Sequence, residues 1–114
     1  MKVRLDPHGI LPVAVQEGII FYFPEPYELS PLTGCIINTG VHIQIPSGYT
    51  GHFTTPYRLK KMGVIADEWI DEWDDREIRI NLFNGSRSRK LFFTNDELAI
   101  MNIIPTHRYS VEPI

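Results

Sequence analysis

The sequence is poor in cysteine: Cys35 is the only one among 114 residues. A single thiol excludes an internal disulfide and a zinc site made of several cysteines, and it is typical of a reducing intracellular compartment. Because Cys35 lies in an apolar run, we interpret it as a core residue and not as a nucleophile. The sequence also has no apolar run of membrane-spanning length, so we expect no membrane partner.

The sequence has no excess of positive charge either, because 11 lysines and arginines face 14 aspartates and glutamates, for a formal net charge of -3. A chain of this charge has no basic field to hold a phosphate backbone by counterion release, and we expect no nucleic-acid partner. The first ten residues contain Pro7, His8 and Gly9 where a secretion signal requires an apolar run. We therefore expect the protein to stay inside a cell or an assembly.

What the sequence does contain is a series of short apolar pieces separated by proline, glycine and asparagine turns. Residues 41–45 alternate between apolar and polar side chains, which places Val41, Ile43 and Ile45 on one face of a strand. Residues 78–82 repeat this alternation. Denser apolar runs predict strands that are covered on both faces, at residues 18–23, 35–37, 90–93 and 98–104. The spacing predicts about ten short strands, as in a sandwich, a jelly roll or a barrel.

One short helix is predicted near residues 56–62. Thr54 or Thr55 would cap this helix, Pro56 suits its first turn, and Gly63 would end it. The sequence has no internal repeat, low-complexity tract or linker, and its length suffices for one core. We therefore expect residues 1–114 to form a single all-β domain.

The most specific string in the sequence covers residues 39–52 and reads TGVHIQIPSGYTGH. It resembles the trimeric dUTPases (deoxyuridine triphosphatases), in which a similar run precedes the phosphate-binding motif. Shorter matches follow in the family's order, so that the resemblance covers most of residues 12–104; they lie at residues 63–64, 70–72, 76–78, 82–84 and 96–99. The resemblance implies a β jelly roll or distorted barrel that assembles as a homotrimer, with active sites shared between subunits.

The positions that match the family's polar groups mostly carry other side chains. Ile20 stands where the first motif has an aspartate that helps to hold magnesium, and an apolar side chain does not coordinate a hard cation. Residues 55–59 replace the phosphate-binding motif PRSG without its serine and glycine. Ile100 replaces a glutamine that contacts phosphate in the family. Arg58 remains as a candidate anion-binding residue, although an arginine at a helix start is more often solvated.

The third motif is the best preserved, because Asp71 matches the aspartate that orients or deprotonates the attacking water in the family. Asp71 is therefore the one residual candidate for a catalytic base. We favour the alternative that it is an ordinary carboxylate in the acidic run of residues 67–75. Asp74 stands where the family has a tyrosine that stacks on deoxyribose, and residues 67–69 replace the glycine-rich hairpin that admits uracil. Residues 106–114 have no counterpart of the glycine- and arginine-rich arm that closes over the nucleotide.

No metal site and no cofactor are predicted. The acidic run lacks the ligand spacing of a calcium loop, and metal-ligand spacing is also missing from the four histidines, which are His8, His42, His52 and His107. We interpret the run as a solvated surface and the histidines as surface or packing residues. Trp69 and Trp73 are candidate partner contacts together with Arg58, because tryptophan and arginine are favoured at the centres of interfaces. The alternative for both tryptophans is the core.

Core-facing positions match the dUTPase resemblance while polar positions do not, which predicts a pseudoenzyme that keeps the fold for its shape. Residues 16–18 and 22–25 also resemble the start of the adenoviral early-region proteins derived from dUTPase, which act as interaction adaptors. We therefore expect a non-enzymatic viral protein that serves in protein–protein interaction or as a structural, capsid-associated part. Its expected partners are further copies in a homotrimer and other viral or host proteins, in the host cytoplasm or nucleus or in the virion. Two alternatives stay open: a divergent hydrolase of dUTP or another nucleotide that uses Asp71, and a nucleotide-binding sensor without turnover.

Overall fold

A computed structural model describes residues 2–70, 73–107 and 109–114, and for residues 69–70 and 73–76 it describes the backbone only. Eleven strands and one short helix lie in these residues. In chain order they are β1 (Val3–Leu5), β2 (Val13–Val15), β3 (Gly18–Tyr22), β4 (Tyr27–Leu29), β5 (Gly34–Ile45), β6 (Tyr49–Thr54), α1 (Tyr57–Lys61), β7 (Val64–Ile65), β8 (Glu68–Ile70), β9 (Trp73–Asn84), β10 (Lys90–Phe92) and β11 (Glu97–Pro105).

The strands form three sheets, and every strand pair is antiparallel. The four-stranded sheet has the order β1-β5-β9-β7, and the five-stranded sheet has the order β2-β3-β11-β6-β8. Strands β10 and β4 make a separate pair. Among the described strands, the sheets do not close into a barrel. The predicted all-β architecture with one short helix near residues 56–62 is thereby confirmed.

Inward-facing residues alternate with outward-facing ones along β5 and β9, as the sequence pattern predicts. The two strands are neighbours, and Ile37 of β5 lies opposite Ile80 of β9. The buried residues of the alternating stretches are Val41, Ile43, Ile45, Ile78, Ile80 and Leu82. Between them, Arg79 and Asn81 point to solvent. One face of the four-stranded sheet therefore belongs to the core, and the other carries mostly polar side chains.

The five-stranded sheet supplies the opposite wall of the core. Phe21 of β3 and Phe53 of β6 pack edge to face, with ring centroids 5.2 Å apart and an interplanar angle of 76°. Gly51 of β6 is needed at this wall, because a Cβ atom there would lie 3.0 Å from Ile45 Cδ1 and 3.1 Å from Met101 Sδ. The absence of a side chain at Gly51 thus lets the two large sheets approach each other.

Two of the denser apolar runs differ from their prediction. In the run at residues 90–93, Leu91 and Phe93 are exposed. Residues 35–37 were expected to be covered on both faces, and this is wrong for Ile36, whose side chain is 58% exposed in the single chain. Ile37 is fully buried and Cys35 is partly buried against the core, because these two residues share the inward face of β5. The interpretation of Cys35 as a core residue therefore holds in part.

Helix α1 lies where it is predicted, but its predicted cap is wrong. Pro56 occupies the N-cap position, and none of the side chains that the structure describes caps the helix. The Thr55 hydroxyl is engaged elsewhere, since it donates to Asp67 Oδ1 at 2.7 Å. Leu59 is fully buried and attaches the helix to the core, and Gly63 follows the helix with a φ of +79°. In the described part of the chain, no helix has the length and apolar character needed to cross a bilayer.

Candidate functional site

Ile20 and Ile100 are direct cross-strand neighbours in the five-stranded sheet. Strands β3 and β11 pair with Ile20 opposite Ile100, β2 adds Val13 beside Ile20, and β6 adds Thr54 beside Ile100. We call these four residues the apolar row. The adjacent positions along the strands, Phe21 and Met101 among them, point into the core. The row therefore lies on the outer face of the sheet, where Val13 is 46% exposed.

Three of the four side chains in the apolar row are hydrocarbon, namely Val13, Ile20 and Ile100. Ile20 and Ile100 stand at the two positions where the dUTPase resemblance implies an aspartate for magnesium and a glutamine for phosphate. The one polar side chain of the row, Thr54, directs its hydroxyl to the backbone oxygen of Ile100 at 3.4 Å. Aliphatic side chains neither coordinate a hard cation nor donate to a phosphate oxygen. The side chains of Val13, Ile20 and Ile100 therefore provide neither a ligand for magnesium nor a hydrogen-bond donor for a phosphate oxygen.

Arg58 faces a carboxylate of its own chain. Its Nη1 atom lies 3.4 Å from Asp96 Oδ2, and the same oxygen accepts the backbone N–H of Phe93 at 2.8 Å. Asp96 belongs to the segment that matches the family's fourth motif, so the ion pair joins two motif segments. The Arg58 side chain is half-exposed. Its charge is matched by Asp96, and an anion at this place would have to compete with that carboxylate.

The first two carboxylates of the acidic run bind groups of the protein. Asp67 Oδ1 accepts from the backbone N–H of Thr55 at 2.8 Å and from its hydroxyl at 2.7 Å, and the same hydroxyl accepts the N–H of Ala66 at 2.8 Å. Glu68 accepts from the backbone and the side-chain amide of Asn81, at 3.2 and 3.1 Å. These bonds hold the start of β8 to the segment before α1 and to β9.

The other predicted site residues are Asp71, Trp69 and Trp73, and the structure describes them only in part. Asp71, the residual catalytic candidate, lies outside the described residues. The backbone of Trp69 belongs to β8, an edge strand of the five-stranded sheet, and the backbone of Trp73 begins β9 opposite Ile45. For these two tryptophans the structure describes the backbone and not the side chain. Their role as partner contacts therefore stays a prediction.

Sequence reasoning missed one cluster of polar side chains, formed by Asp6, His42 and Glu77. His42 of β5 lies opposite Glu77 of β9 and opposite Arg4 of β1. His42 Nε2 is 3.0 Å from Asp6 Oδ2, and Arg4 Nη2 is 3.1 Å from His42 Nδ1. The hydrogen bond to His42, helped by the nearby Arg4, lowers the pKa of the Asp6 carboxyl below its ordinary value. The cluster therefore contains an ionised Asp6 at neutral pH.

The cluster escaped the sequence analysis because its members are far apart along the chain. The alternation patterns do place His42 and Glu77 on the outer faces of their strands, since Val41 and Ile78 beside them are inward. The missing information is the register of β5 against β9, which shifts between Asn38 and His42. A spacing rule for metal ligands cannot detect residues that only this register brings together.

Comparison with known proteins supports the fold that the geometry indicates. No protein-family model and no curated protein matches the chain. Solved structures match it over 99% of its length: a mutant dUTPase from phage phi11 of Staphylococcus aureus, with a TM-score of 0.85, 19% identity and 95% of that chain covered, and the dUTPase of Staphylococcus phage 80alpha, with a TM-score of 0.86, 16% identity and 94% covered. The chain thus has a dUTPase-like fold, and the predicted fold class is confirmed.

The two phage proteins differ in what is known of them, which is metal coordination in one and the control of gene transfer in the other. The phi11 structure is described as revealing how a structural magnesium ion is coordinated. The phage 80alpha protein is described as one of the phage dUTPases that control the transfer of virulence genes by a G protein-like mechanism. At identities of 16–19% the likeness establishes the fold and not the chemistry of the present chain. Function has to be argued from the residues of the site.

Proposed function

We propose that this chain is a non-enzymatic viral protein that uses the dUTPase-like fold to bind other proteins, as an adaptor or as a structural, capsid-associated component. The observation that carries this proposal is the apolar row, with Ile20 and Ile100 at the positions expected to bind magnesium and phosphate. Electrostatic stabilisation of the phosphates is the larger part of phosphoryl-transfer catalysis. A surface of isoleucine and valine provides none of it.

An exposed apolar surface beside the row supports a binding role. Val13 and Val15 of β2 lie two positions apart, so both face outward, and they are 46% and 38% exposed. Together with Ile20 and Ile100 they form one continuous apolar area on the outer face of the sheet. Patches of this kind on a small domain mark contacts with other proteins.

We propose that one such contact joins copies of this chain in a homotrimer. The radius of gyration of the chain is 15.3 Å, whereas a compact domain of this length has a radius of roughly 13 Å. The chain measures 49 × 39 × 24 Å along its principal axes, so it is flat. Burial of its exposed apolar side chains against further copies would stabilise an assembly. Light scattering tests this part: a mass of about 40 kDa is expected for three chains of 13.2 kDa, and a monomer at 13 kDa would contradict it.

We propose Trp69, Trp73 and Arg58 as further partner contacts. β8, which contains Trp69, is an edge strand and has one side without a strand neighbour in the described sheet. Such an edge is open to pairing with another chain. Trp69→Ala and Trp73→Ala variants that keep the parent's circular dichroism spectrum but lose partner or self-association would support these contacts. Unchanged association in both variants would show that Trp69 and Trp73 are not partner contacts.

The proposal includes a viral origin and a location in the host cell or in the virion. The structural neighbours come from phages, which supports a viral origin. A place in the host cytoplasm or nucleus or in the virion stays a prediction. The resemblance to the adenoviral early-region proteins stays a prediction. Both large sheets contribute residues to one core cluster, which supports the proposal that residues 1–114 form one domain.

Recovery of the chain with purified particles would indicate a structural component, whereas recovery with a host protein would indicate an adaptor.

An activity assay tests the non-enzymatic part of the proposal. The purified protein is incubated with dUTP and magnesium, next to an active phage dUTPase as positive control, and pyrophosphate is measured. We expect no release above the blank. Release by the parent chain that is abolished in Asp71→Asn would instead establish a divergent hydrolase. Calorimetry with a non-hydrolysable dUTP analogue covers the remaining alternative, since tight binding without turnover would identify a nucleotide sensor.

A further inference from the structure

Three strands of the four-stranded sheet bring one imidazole and two carboxylates together on its outer face. Asp6 directly follows β1, His42 lies in β5 and Glu77 lies in β9. One ligand atom of each residue lies within 4.8 Å of those of the other two. We propose that Asp6, His42 and Glu77 form a binding site for a divalent transition-metal ion of the zinc type. This site is separate from the apolar row and does not depend on the proposed function.

The donor set selects the class of metal ion. Imidazole nitrogen suits zinc, nickel, copper and cobalt, whereas magnesium and calcium prefer oxygen ligands alone. Zinc holds nitrogen and carboxylate ligands at about 2.0–2.2 Å, so ligand atoms around it stand roughly 3.3 Å apart. The 3.0 Å between His42 Nε2 and Asp6 Oδ2 already fits this spacing. An oxygen of Glu77 lies within 4.8 Å of both atoms and would have to move closer to bind the ion. Water would take the fourth position, as in zinc sites with three protein ligands.

The backbone at Gly40 holds the Glu77 carboxylate and the main chain of Asp6 before any ion arrives. The Gly40 N–H donates to Glu77 Oε2 at 3.1 Å, and the Gly40 carbonyl accepts the N–H of Asp6 at 2.8 Å. Gly40 has a φ of +70°, and a Cβ atom there would lie 2.9 Å from Gly9 Cα. This residue therefore has to be glycine for the two segments to meet. Outer-shell bonds of this kind orient metal ligands and raise affinity.

The burial of the three side chains suits an ion that enters from solvent. The exposed fractions are 13% for His42, 20% for Glu77 and 31% for Asp6. Partly buried carboxylates attract a cation more strongly than fully solvated ones, because water screens them less. The site is thus open enough to admit an ion and closed enough to hold it.

Two arginines compete with the ion in the present arrangement. Arg4 Nη2 lies 3.1 Å from His42 Nδ1, and Arg79 Nε lies 3.9 Å from Glu77 Oε1. Arginine only donates hydrogen bonds, so Nδ1 of His42 is the acceptor and Nε2 carries the proton that faces Asp6. An ion on Nε2 requires the other neutral tautomer, in which Nδ1 carries the proton. Arg4 must then turn away, which its 56% exposed side chain permits.

The test is a metal titration of the full chain after removal of metal by chelator and dialysis. Zinc chloride is titrated by calorimetry, and cobalt chloride is followed by its visible absorption, which reports nitrogen ligation directly. We expect one ion per chain. His42→Ala and Glu77→Gln should each weaken zinc binding by at least about tenfold, since outer-shell changes alone cost ~10–100-fold. Glu77→Gln keeps an oxygen that accepts from Gly40, so it tests ligation and not folding. His107→Ala, a histidine change in the C-terminal segment, should bind as the parent does.

Arg4→Gln provides a test in the opposite direction. Removal of a positive charge next to the ligand should tighten zinc binding by at least about threefold, because unit charges roughly 5 Å apart in water interact by about 0.8 kcal/mol. A nonspecific ion on surface carboxylates would show no such gain. The proposal is overturned if the parent chain shows neither a heat signal nor a cobalt spectrum, if His42→Ala binds as tightly as the parent, or if Arg4→Gln leaves the affinity unchanged.

Discussion

The Thr55 hydroxyl is the centre of a small hydrogen-bond network, and its removal should destabilise the chain measurably. Thr55 is 4% exposed and Ala66 is fully buried. The hydroxyl accepts the Ala66 N–H at 2.8 Å and donates to Asp67 at 2.7 Å. Thr55→Val keeps the side-chain shape, deletes both bonds and leaves the buried N–H of Ala66 without its acceptor. The change therefore isolates the hydroxyl.

The expected loss follows from the two bonds. A buried N–H left without an acceptor costs about 1–3 kcal/mol, and the bond to the exposed Asp67 contributes about 1 kcal/mol because water competes for that carboxylate. We expect Thr55→Val to lower the free energy of unfolding by about 2–4 kcal/mol. Thr55→Ser is the matched control, since it keeps the hydroxyl and removes one methyl group, at a cost of about 1 kcal/mol.

Urea unfolding followed by tryptophan fluorescence and circular dichroism measures both variants at one fixed chain concentration, because self-association would make stability depend on concentration. The slopes of the unfolding transitions should stay equal, so that the midpoints report stability. If Thr55→Val unfolds at the same midpoint as the parent chain, the hydroxyl contributes nothing to stability and the two hydrogen bonds do not stabilise the fold. The segment before β8 would then need another cause for its position.

Three further changes test other parts of the structure. Ile80→Ala should cost about 2–5 kcal/mol in urea unfolding, because it opens a cavity at a fully buried position; a cost below 1 kcal/mol would contradict the assigned core. Arg58→Ala should cost less than about 1 kcal/mol, because its ion pair with Asp96 is half-exposed. Burial raises the pKa of the Cys35 thiol, so iodoacetamide should modify the folded chain more slowly than the urea-unfolded chain at pH 8, with the rate rising at higher pH. Equal rates would place Cys35 at the surface.

Local sequence patterns were sufficient to predict burial where the environment of a side chain depends only on its position within its own strand. The alternation at residues 41–45 and 78–82 predicted which side chains of β5 and β9 are buried, and the string at residues 39–52 led to the dUTPase-like fold. Both signals are local, since a strand shows its buried face in every second residue. Pro56 and Gly63 marked the helix in the same way.

Long-range geometry accounts for what the sequence could not predict. Thr55 looks like a helix cap, but its hydroxyl bonds to Asp67, twelve residues away, and that partner is visible only in the folded chain. The cluster around His42 depends on strand register, which a single sequence does not reveal where the pairing shifts. Ile36 looked like a core residue because composition does not show which face of a strand meets solvent.

The direct opposition of Ile20 and Ile100 has a consequence for any attempt to install dUTPase chemistry on this chain. Ile20→Asp alone would place a carboxylate between Val13 and Ile100, two hydrocarbon neighbours that offer it no hydrogen bond. Ile100→Gln alone would leave an amide beside Ile20 in the same way. Each single change is therefore unfavourable until the other is present, and the two positions are coupled. A path from this surface to a phosphate site has to cross at least one less stable intermediate.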